Sequence, residues 1–547
     1  MKRTALTAGL ALGAVALLGL TACAPRDSAS SGDRKPISAA DLVASTPAGT
    51  QPVDEVTWSV LEGEPATLDP VSSANLIIPN LCDNLLSLQP DFSVEPGVAT
   101  SAEWTTPTTF VIELRDDVTF WDGTPLTAAD VVYSLERNRS PESQWFSAFA
   151  LVDSIAATGD REVTLTFTAP DSAFRDAIAG QGGAVMSAAY GASAGDALGT
   201  SDGGLMCTGP YELADGGWKP GSEIVTTANP DYWNGAPLVQ SLTYVFVTDS
   251  STLATALTQG EIDGALNVSP SSRAAFEGDG AGSLIVGPST ASCSFGPTTS
   301  EGPAANPDIR RALSLAIDRD QYISTVLGGL GEVQRTIVPP FTFQELAAAD
   351  TYQAGYDALP APEVDLDTAK QLVADSGEDV SRPLVLAVPA GATEFKNTAQ
   401  IVQSAAKQIG LTIEINEMQA SDFGAMFYDA GAREGIDFVA TQGYLETPGV
   451  LGYPTLFMLP EDLGGVFNWS GYQNDEVTKH MQAARTATDE QTAADEFVAA
   501  QQIFAPDMLQ VTLAGAYQLS YLNDDLSGIT SSVAMYSSPW ALHLGGK

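Results

Sequence analysis

The sequence predicts several α/β domains with strands and helices mixed through the chain, and three observations carry that prediction. The 547 residues are enough for about three or four domain-sized units. Their 44% hydrophobic and 8% aromatic content supplies large cores. Strand-like and helix-like stretches alternate without a fixed-period repeat, which argues against a solenoid or a sandwich.

The chain opens with Lys2 and Arg3, followed by an uncharged apolar run from Ala5 to Leu20. That run falls short of the roughly 20 apolar residues a membrane-crossing helix needs, so residues 1–23 read as a secretory signal. Residues 24–53, rich in Ser, Ala, Thr, Asp and Pro, read as a flexible tether. The folded body is expected from Asp54.

Val56–Val60 alternates and is β-branched, which predicts a strand, and Gly63, Pro65 and Pro70 predict turns after it. Phe110–Leu114 predicts a second strand, ending in a turn at Asp122-Gly123-Thr124-Pro125 in which Trp121 caps the adjoining core. Thr127 is placed as an N-cap with Asp130 three residues on, ahead of Val131, Val132 and Leu135 on one helical face. The small-residue stretch from Gly180 to Gly204 reads as loop. Asn306 and Pro307 start a helix whose Ile309, Ala312, Leu313, Ala316 and Ile317 share a face. A further helix from Thr398 carries Ile401, Val402, Ala405 and Ile409 and stops at Gly410, before a strand over Leu411–Ile415.

Acids outnumber bases 68 to 24, giving a net charge of −44. Such a field repels phosphate backbones and anionic headgroups, which excludes nucleic acid as a partner and leaves membrane attachment to a covalent or apolar anchor. Arg310 and Arg311 are expected to form solvated ion pairs with the abundant acids. With only two histidines, His480 and His543, and no metal-ligand spacing among the cysteines, neither a metal nor a cofactor is expected. Secretion permits one disulfide among Cys82, Cys207 and Cys293, and the residues alone leave the pair open.

Two hydrolase-like patterns lack their context. Gly191–Gly195 fits G-x-S-x-G around Ser193, with His543 downstream, but no strand precedes it. Ser404 and Lys407 fit S-x-x-K, yet the K-T-G partner is missing and both lie on a helix already explained by packing. Neither histidine has a neighbour suggesting a base. A secreted hydrolase is therefore the weaker alternative, and the chain is read as no enzyme.

Leu20-Thr21-Ala22-Cys23 resembles the lipobox of bacterial lipoproteins, which makes Cys23 the expected lipidation site. The stretch TFVIELRDDVTFWDGTPLTAADVVYSLER, residues 109–137, resembles the family 5 extracellular solute-binding proteins of ABC importers, the oligopeptide-, dipeptide- and nickel-binding group. Thr67–Pro70, Pro96–Ala99, Thr208–Tyr211, Asn229–Trp233, Gly260–Asp263 and PDIRRALSLAIDR at 307–319 fall in the family's order, as do Asn468, Tyr472 and Asn474.

The resemblance implies a two-lobed periplasmic-binding-protein-like fold, type II and cluster C, with an extra domain and an interlobe cleft. Domain I would comprise residues 54–99, 206–290 and 513–547, domain II residues 100–205, and domain III residues 291–512. Placement in one domain favours the pair Cys82–Cys207. By position in the family, the ligand would meet Asn75 and Leu76 after the first strand, Gln442, Gly443, Tyr444, Leu445 and Glu446 after the Phe438–Ala440 strand, and Phe467, Trp469 and Tyr472. Peptide-binding relatives carry an Asp-Pro in the 444–448 stretch; here Thr447 stands at the acid's place and Glu446 one residue earlier. The implied function is a monomeric, lipid-anchored receptor on the extracytoplasmic face of the membrane, delivering a small solute of peptide class to a permease and ATPase. An oligosaccharide or a metal chelate is the alternative ligand, and a sensor or chaperone-like binder the alternative role.

Overall fold

The computed structural model describes residues 37–276, 278, 280–443 and 449–547. Cys23 and the signal lie outside the described residues, as do Tyr444, Leu445, Glu446 and Thr447.

Three sheets organise the body, and each has its own apolar core. The first has seven strands, in the order Gly282–Gly287, Gln518–Asn523, Gly264–Leu266, Val53–Ser59, Val239–Val245, Glu223–Ala228 and Tyr211–Lys219. Val53–Ser59 runs parallel to both of its neighbours. Its alternation sends Val56 and Trp58 into the core, where the Trp58 ring lies 4.5 Å from that of Trp540. The second sheet has six strands, in the order Gly331–Val333, Val511–Ala516, Ser292–Pro297, Phe438–Gly443, Leu384–Pro389 and Ile413–Met418. The third is a four-stranded antiparallel sheet of Ala99–Thr106, Thr109–Leu114, Glu162–Phe167 and Val152–Ala157.

The chain passes between the seven- and six-stranded sheets twice, first through residues 288–291 and then through Tyr517 alone, which separates Val511–Ala516 from Gln518–Asn523. The second crossing therefore falls later than the expected limit at 513. Residues 43–51, expected in the tether, are instead held against the body. The amide of Val43 donates to the carbonyl of Val286, Thr46 Oγ1 accepts from the amides of Gly528 and Ile529, and Gln51 forms a bridge with Gly546. These backbone groups have found partners, which a solvated tether would not supply.

Helix starts follow the sequence closely. Asp130 Oδ2 accepts from the amide of Thr127 at 3.0 Å, closing the capping box ahead of Ala128–Asn138. Asn306 Oδ1 accepts from the amide of Asp308 at 2.9 Å, ahead of Pro307–Ala316. The helix expected from Thr398 begins earlier, running Thr393–Gln408, and the strand after it is Ile413–Met418. Trp121 is half-buried and donates to the carbonyl of Gly209 at 3.2 Å.

The Gly180–Gly204 stretch is not all loop. It contains the helix Ala188–Ala194, whose N-cap Ser187 accepts from the amide of Tyr190. The small residues mislead here because Ala and a buried Gly191 let the helix pack tightly, against the Tyr133 hydroxyl. Ser193 is exposed on that helix with no strand leading into it. Ser404 and Lys407 are exposed on Thr393–Gln408.

Arg310 departs from the expected solvated pair. It is buried, and its guanidinium donates to the carbonyls of Ala304, Ala305, Asp507 and Met508 at 2.7–3.1 Å. Burial pulls its pKa down to about 10, so it remains charged at neutral pH. Arg311 stays exposed beside Asp308. Cys82 and Cys207 form a disulfide across 125 residues of sequence, and Cys293 is a buried free thiol. A loop of that length contributes roughly 5 kcal/mol in the chain-entropy picture. No helix among the described residues is long and apolar enough to cross a membrane.

Candidate functional site

A cavity of about 610 Å³ opens between the four-stranded and six-stranded bodies. One wall comes from residues 144–148 and from the helix Phe174–Ala177, which present Trp145, Ala148, Asp176 and Ala177. The facing wall is the end of the Phe438–Gly443 strand, the helix Gly452–Met458, and the rings of Phe395, Phe423, Phe427, Tyr428 and Phe467. The strand can end there because Gly443 lets the Tyr453 hydroxyl lie where any Cβ would stand. Thr441 Oγ1, on the lining, is bonded to Ser294 Oγ at 2.8 Å and to Gln510 Oε1 at 3.1 Å.

The aromatic wall is a connected cluster. Phe427 meets Phe467 at 5.7 Å and Trp469 at 5.5 Å, and the Arg433 guanidinium covers the Trp469 face at 4.6 Å. Tyr428 is 87% exposed, a large ring left in contact with solvent at the rim.

Arg485 and Asp176 are the only charged side chains lining the cavity among the described residues. Arg485 is spent on structure. It bonds Asp171 at 3.0 and 3.3 Å and the carbonyl of Ser147 at 3.2 Å, while the amide of Ser172 donates to the Arg485 carbonyl at 2.7 Å. These contacts fasten residues 171–173 to the C-terminal end of the helix Asp475–Arg485. Burial pushes the Asp176 carboxyl up to about 6, against the opposing pull of Arg175, with Glu490 and Asp171 adding to the rise.

Of the residues expected at the ligand, Gln442, Gly443 and Phe467 line this cavity. Trp469 stands behind Phe467 and Phe427 rather than at the surface of the cavity. Tyr472 packs on the helical core and donates to Asp507 at 2.9 Å, and burial raises its pKa. Asn75 and Leu76 do not line the cavity. Asn75 Oδ1 accepts from the amides of Ile77 and Ile78 at the start of a short helix, and Leu76 is buried with its carbonyl bonded to Trp540. Trp145, Asp176, Phe423, Phe427 and Tyr428 escaped the sequence reading. The one available signal was the density of aromatics in Phe423–Tyr428, and the i, i+3, i+4 spacing of Phe423, Met426 and Phe427 makes it read as the packed face of a helix rather than as a ligand wall.

The histidines also resolve. His480 Nδ1 lies 2.5 Å from Glu496 Oε2 across two packed helices, a partner the sequence did not suggest, and His543 is exposed. No group of three or more His, Cys, Asp or Glu positioned for a metal occurs among the described residues.

Two sheet-centred bodies joined by two short crossings, with an aromatic cavity beside them, define the class: an extracytoplasmic solute-binding protein. Residues 93–460 match the family described as bacterial extracellular solute-binding proteins, family 5. The chain belongs to that family, the non-catalytic substrate-binding components of ABC importers. It is 25% identical over 427 residues to the glutathione-binding protein GsiB of Shigella dysenteriae, covering 77% of this chain and 80% of that protein. Among solved structures it is similar to the binding protein AgaA of A. tumefaciens R10 with agropinic acid, at TM-score 0.78, 21% identity, and 90% and 99% coverage of the two chains. It is similar also to the oligopeptide-binding protein AppA of Bacillus subtilis with a nonapeptide, at TM-score 0.75, 19% identity, and 91% and 99% coverage.

Proposed function

We propose that this importer component captures a peptide-class solute in the cavity between Trp145–Ala177 and the Phe395–Phe467 wall, and that its lobes close over that solute to signal the permease. The observation that carries the reading is the 610 Å³ cavity itself, lined by aromatic rings from one body and by Trp145 and a short helix from another. Such a volume suits a small solute, and rings cover apolar side chains while a few polar groups orient the backbone. Hinges at residues 288–291 and Tyr517 are short enough to let the bodies rotate as units. Glutathione for GsiB and a nonapeptide for AppA support the peptide class, and the agropinic acid bound by AgaA and the nickel–histidine complex bound by NikA of Staphylococcus aureus mark the opine and chelate chemistries that the test must distinguish from it.

In this reading the domains keep limits near 54–99, 206–290 and 513–547 for I, 100–205 for II and 291–512 for III, with the last crossing moved to Tyr517. Residues 1–23 direct secretion, and Cys23 carries the lipid that holds the monomer near its permease and ATPase. Tyr444, Leu445, Glu446 and Asn75 remain proposed contacts of the solute, whereas Trp469, Tyr472 and Leu76 enter the proposed site as packing behind its walls.

The test is native mass spectrometry of the purified protein, followed by small-angle scattering with a mixture of free di- to octapeptides. A co-purified peptide and a smaller radius of gyration with the mixture are expected. A co-purified sugar or metal complex, or chemical turnover of the bound solute, would overturn the assignment.

A further inference from the structure

Most carboxylates at comparable depth in this protein have a donor. Asp171 holds Arg485, and Asp437 holds Arg382. Asp83 receives the Tyr232 hydroxyl at 2.6 Å, Thr208 at 2.8 Å and the Trp233 indole at 3.1 Å, and Asp507 receives Tyr472. Asp176 has none, as is also true of the half-buried Glu332, which lies outside the cavity. Asp176 lies half-buried on the cavity wall, and no N–H or O–H among the described residues donates to its carboxylate. Its neighbour Arg175 reaches elsewhere, toward the carbonyl of Val94 at 3.4 Å.

The facing chain comes close to this carboxylate on one side: a Cβ placed on Gly449 would stand 3.3 Å from Asp176 Oδ2, so only bare backbone fits beside it there. Arg485, the other charged group on the lining, is neutralised by Asp171. Among the described residues the cavity therefore presents one negative charge without an ion-pair partner, in a lining of aromatic and aliphatic side chains with a few neutral polar ones. A carboxylate held partly out of water without a partner is costly, and a ligand cation that supplies both charge and N–H donors removes that cost.

We propose that Asp176 is the specificity-determining anchor for a protonated amine, so that the site takes solutes with an ammonium head and an apolar body, such as hydrophobic peptides with a free amino terminus. The assignment rests on the reading of this cavity as the solute site. It moves the anchoring acid from the 444–448 stretch to the opposite wall, on the helix Phe174–Ala177. It also disfavours acidic solutes, which would meet the Asp176 carboxylate at the cavity wall. The charged groups around Asp176 are Arg175, Asp171, Glu490 and Arg485; Asp171 is paired with Arg485, and Glu490 adds to the negative field that favours a cation.

The probe is the tripeptide Leu-Phe-Leu, compared with its N-acetyl form, titrated calorimetrically into the full-length protein and its Asp176→Asn and Glu446→Gln variants at pH 7.5. The native protein is expected to prefer the free amine at least tenfold. Asp176→Asn is expected to abolish that preference while binding the acetylated peptide as the native protein does, which reports an intact cavity. A preference that survives Asp176→Asn, or that disappears only in Glu446→Gln, overturns the assignment of Asp176 but leaves the importer reading standing. Equal binding of both peptides by the native protein overturns the ammonium requirement in the same way. Binding of neither form, with native mass spectrometry finding a sugar or chelate in the cavity, overturns the underlying reading as well.

Discussion

Replacing Arg485 with Met keeps the aliphatic stem and deletes the guanidinium that ties the 171–173 segment to the Asp475–Arg485 helix. The Asp171 side chain is fully inaccessible to solvent, so the deletion strands a buried carboxylate with the Ala173 amide, at 3.1 Å, as its remaining donor. Removing one member of a buried ion pair costs about 3–5 kcal/mol, because the other charge is left unpaired. Arg485 keeps 23% of its side chain in water, and solvent reaching the vacated space brings the expected loss to the lower end, about 3 kcal/mol. Two backbone ties remain, Ser172 N–H to the Arg485 carbonyl and Ser172 Oγ to the Ala484 carbonyl, so the segment stays docked while destabilised. Urea unfolding followed by tryptophan fluorescence measures the loss for Arg485→Met, Asp171→Asn and the double variant. The double variant should recover at least half the cost, since it buries a neutral amide instead of a lone carboxylate. A loss below about 1 kcal/mol for Arg485→Met, the value of an exposed pair, would refute the reasoning.

Two further outcomes follow from the same physics. Asp176 has its pKa raised to about 6 by burial, so between its unfolded pKa near 4 and pH 6 the native state binds the additional proton, and stability falls as pH rises through that window. Asp176→Asn should therefore melt higher than the native protein above pH 6, by the equivalent of about 1 kcal/mol after solvent screening, and should match it near pH 4; parallel melting profiles from pH 4 to 8 would contradict the burial argument. Cys23→Ser should release the protein from the membrane fraction into the surrounding fluid, and retention in the membrane would exclude a lipid anchor at that residue.

The parts of the fold visible in the sequence were those governed by short-range rules. The Asp130 and Asn306 caps and the Val53–Ser59 strand each follow from a few neighbouring residues, and so appear within a residue or two of expectation at their starts or over most of their length. Long-range placement was less legible. Arg310 looks like any surface cation in a chain of 68 acids, yet four carbonyls from two distant segments converge on it and make burial tolerable. The candidate site divides in the same way. Gln442, Gly443 and Phe467 were reached through their position in the family resemblance, whereas Trp145, Asp176 and Tyr428 reach the cavity through tertiary packing that no local pattern marks.

That division bears on how the ligand is chosen. A search confined to the 444–448 stretch looks for the acid where local resemblance puts it, and finds Thr447. Electrostatics does not respect chain position: a carboxylate anywhere on the wall reaches the same ammonium, with Coulomb energy set by distance and by exclusion of water. With Arg485 neutralised by Asp171, an acid contributed by the Phe174–Ala177 helix supplies the missing charge from across the cavity. An anchor on that wall also makes the solute itself a bridge to the Phe427 and Phe467 rings, so recognition and lobe closure draw on the same interaction, and a solute without an ammonium head would favour the closed state less.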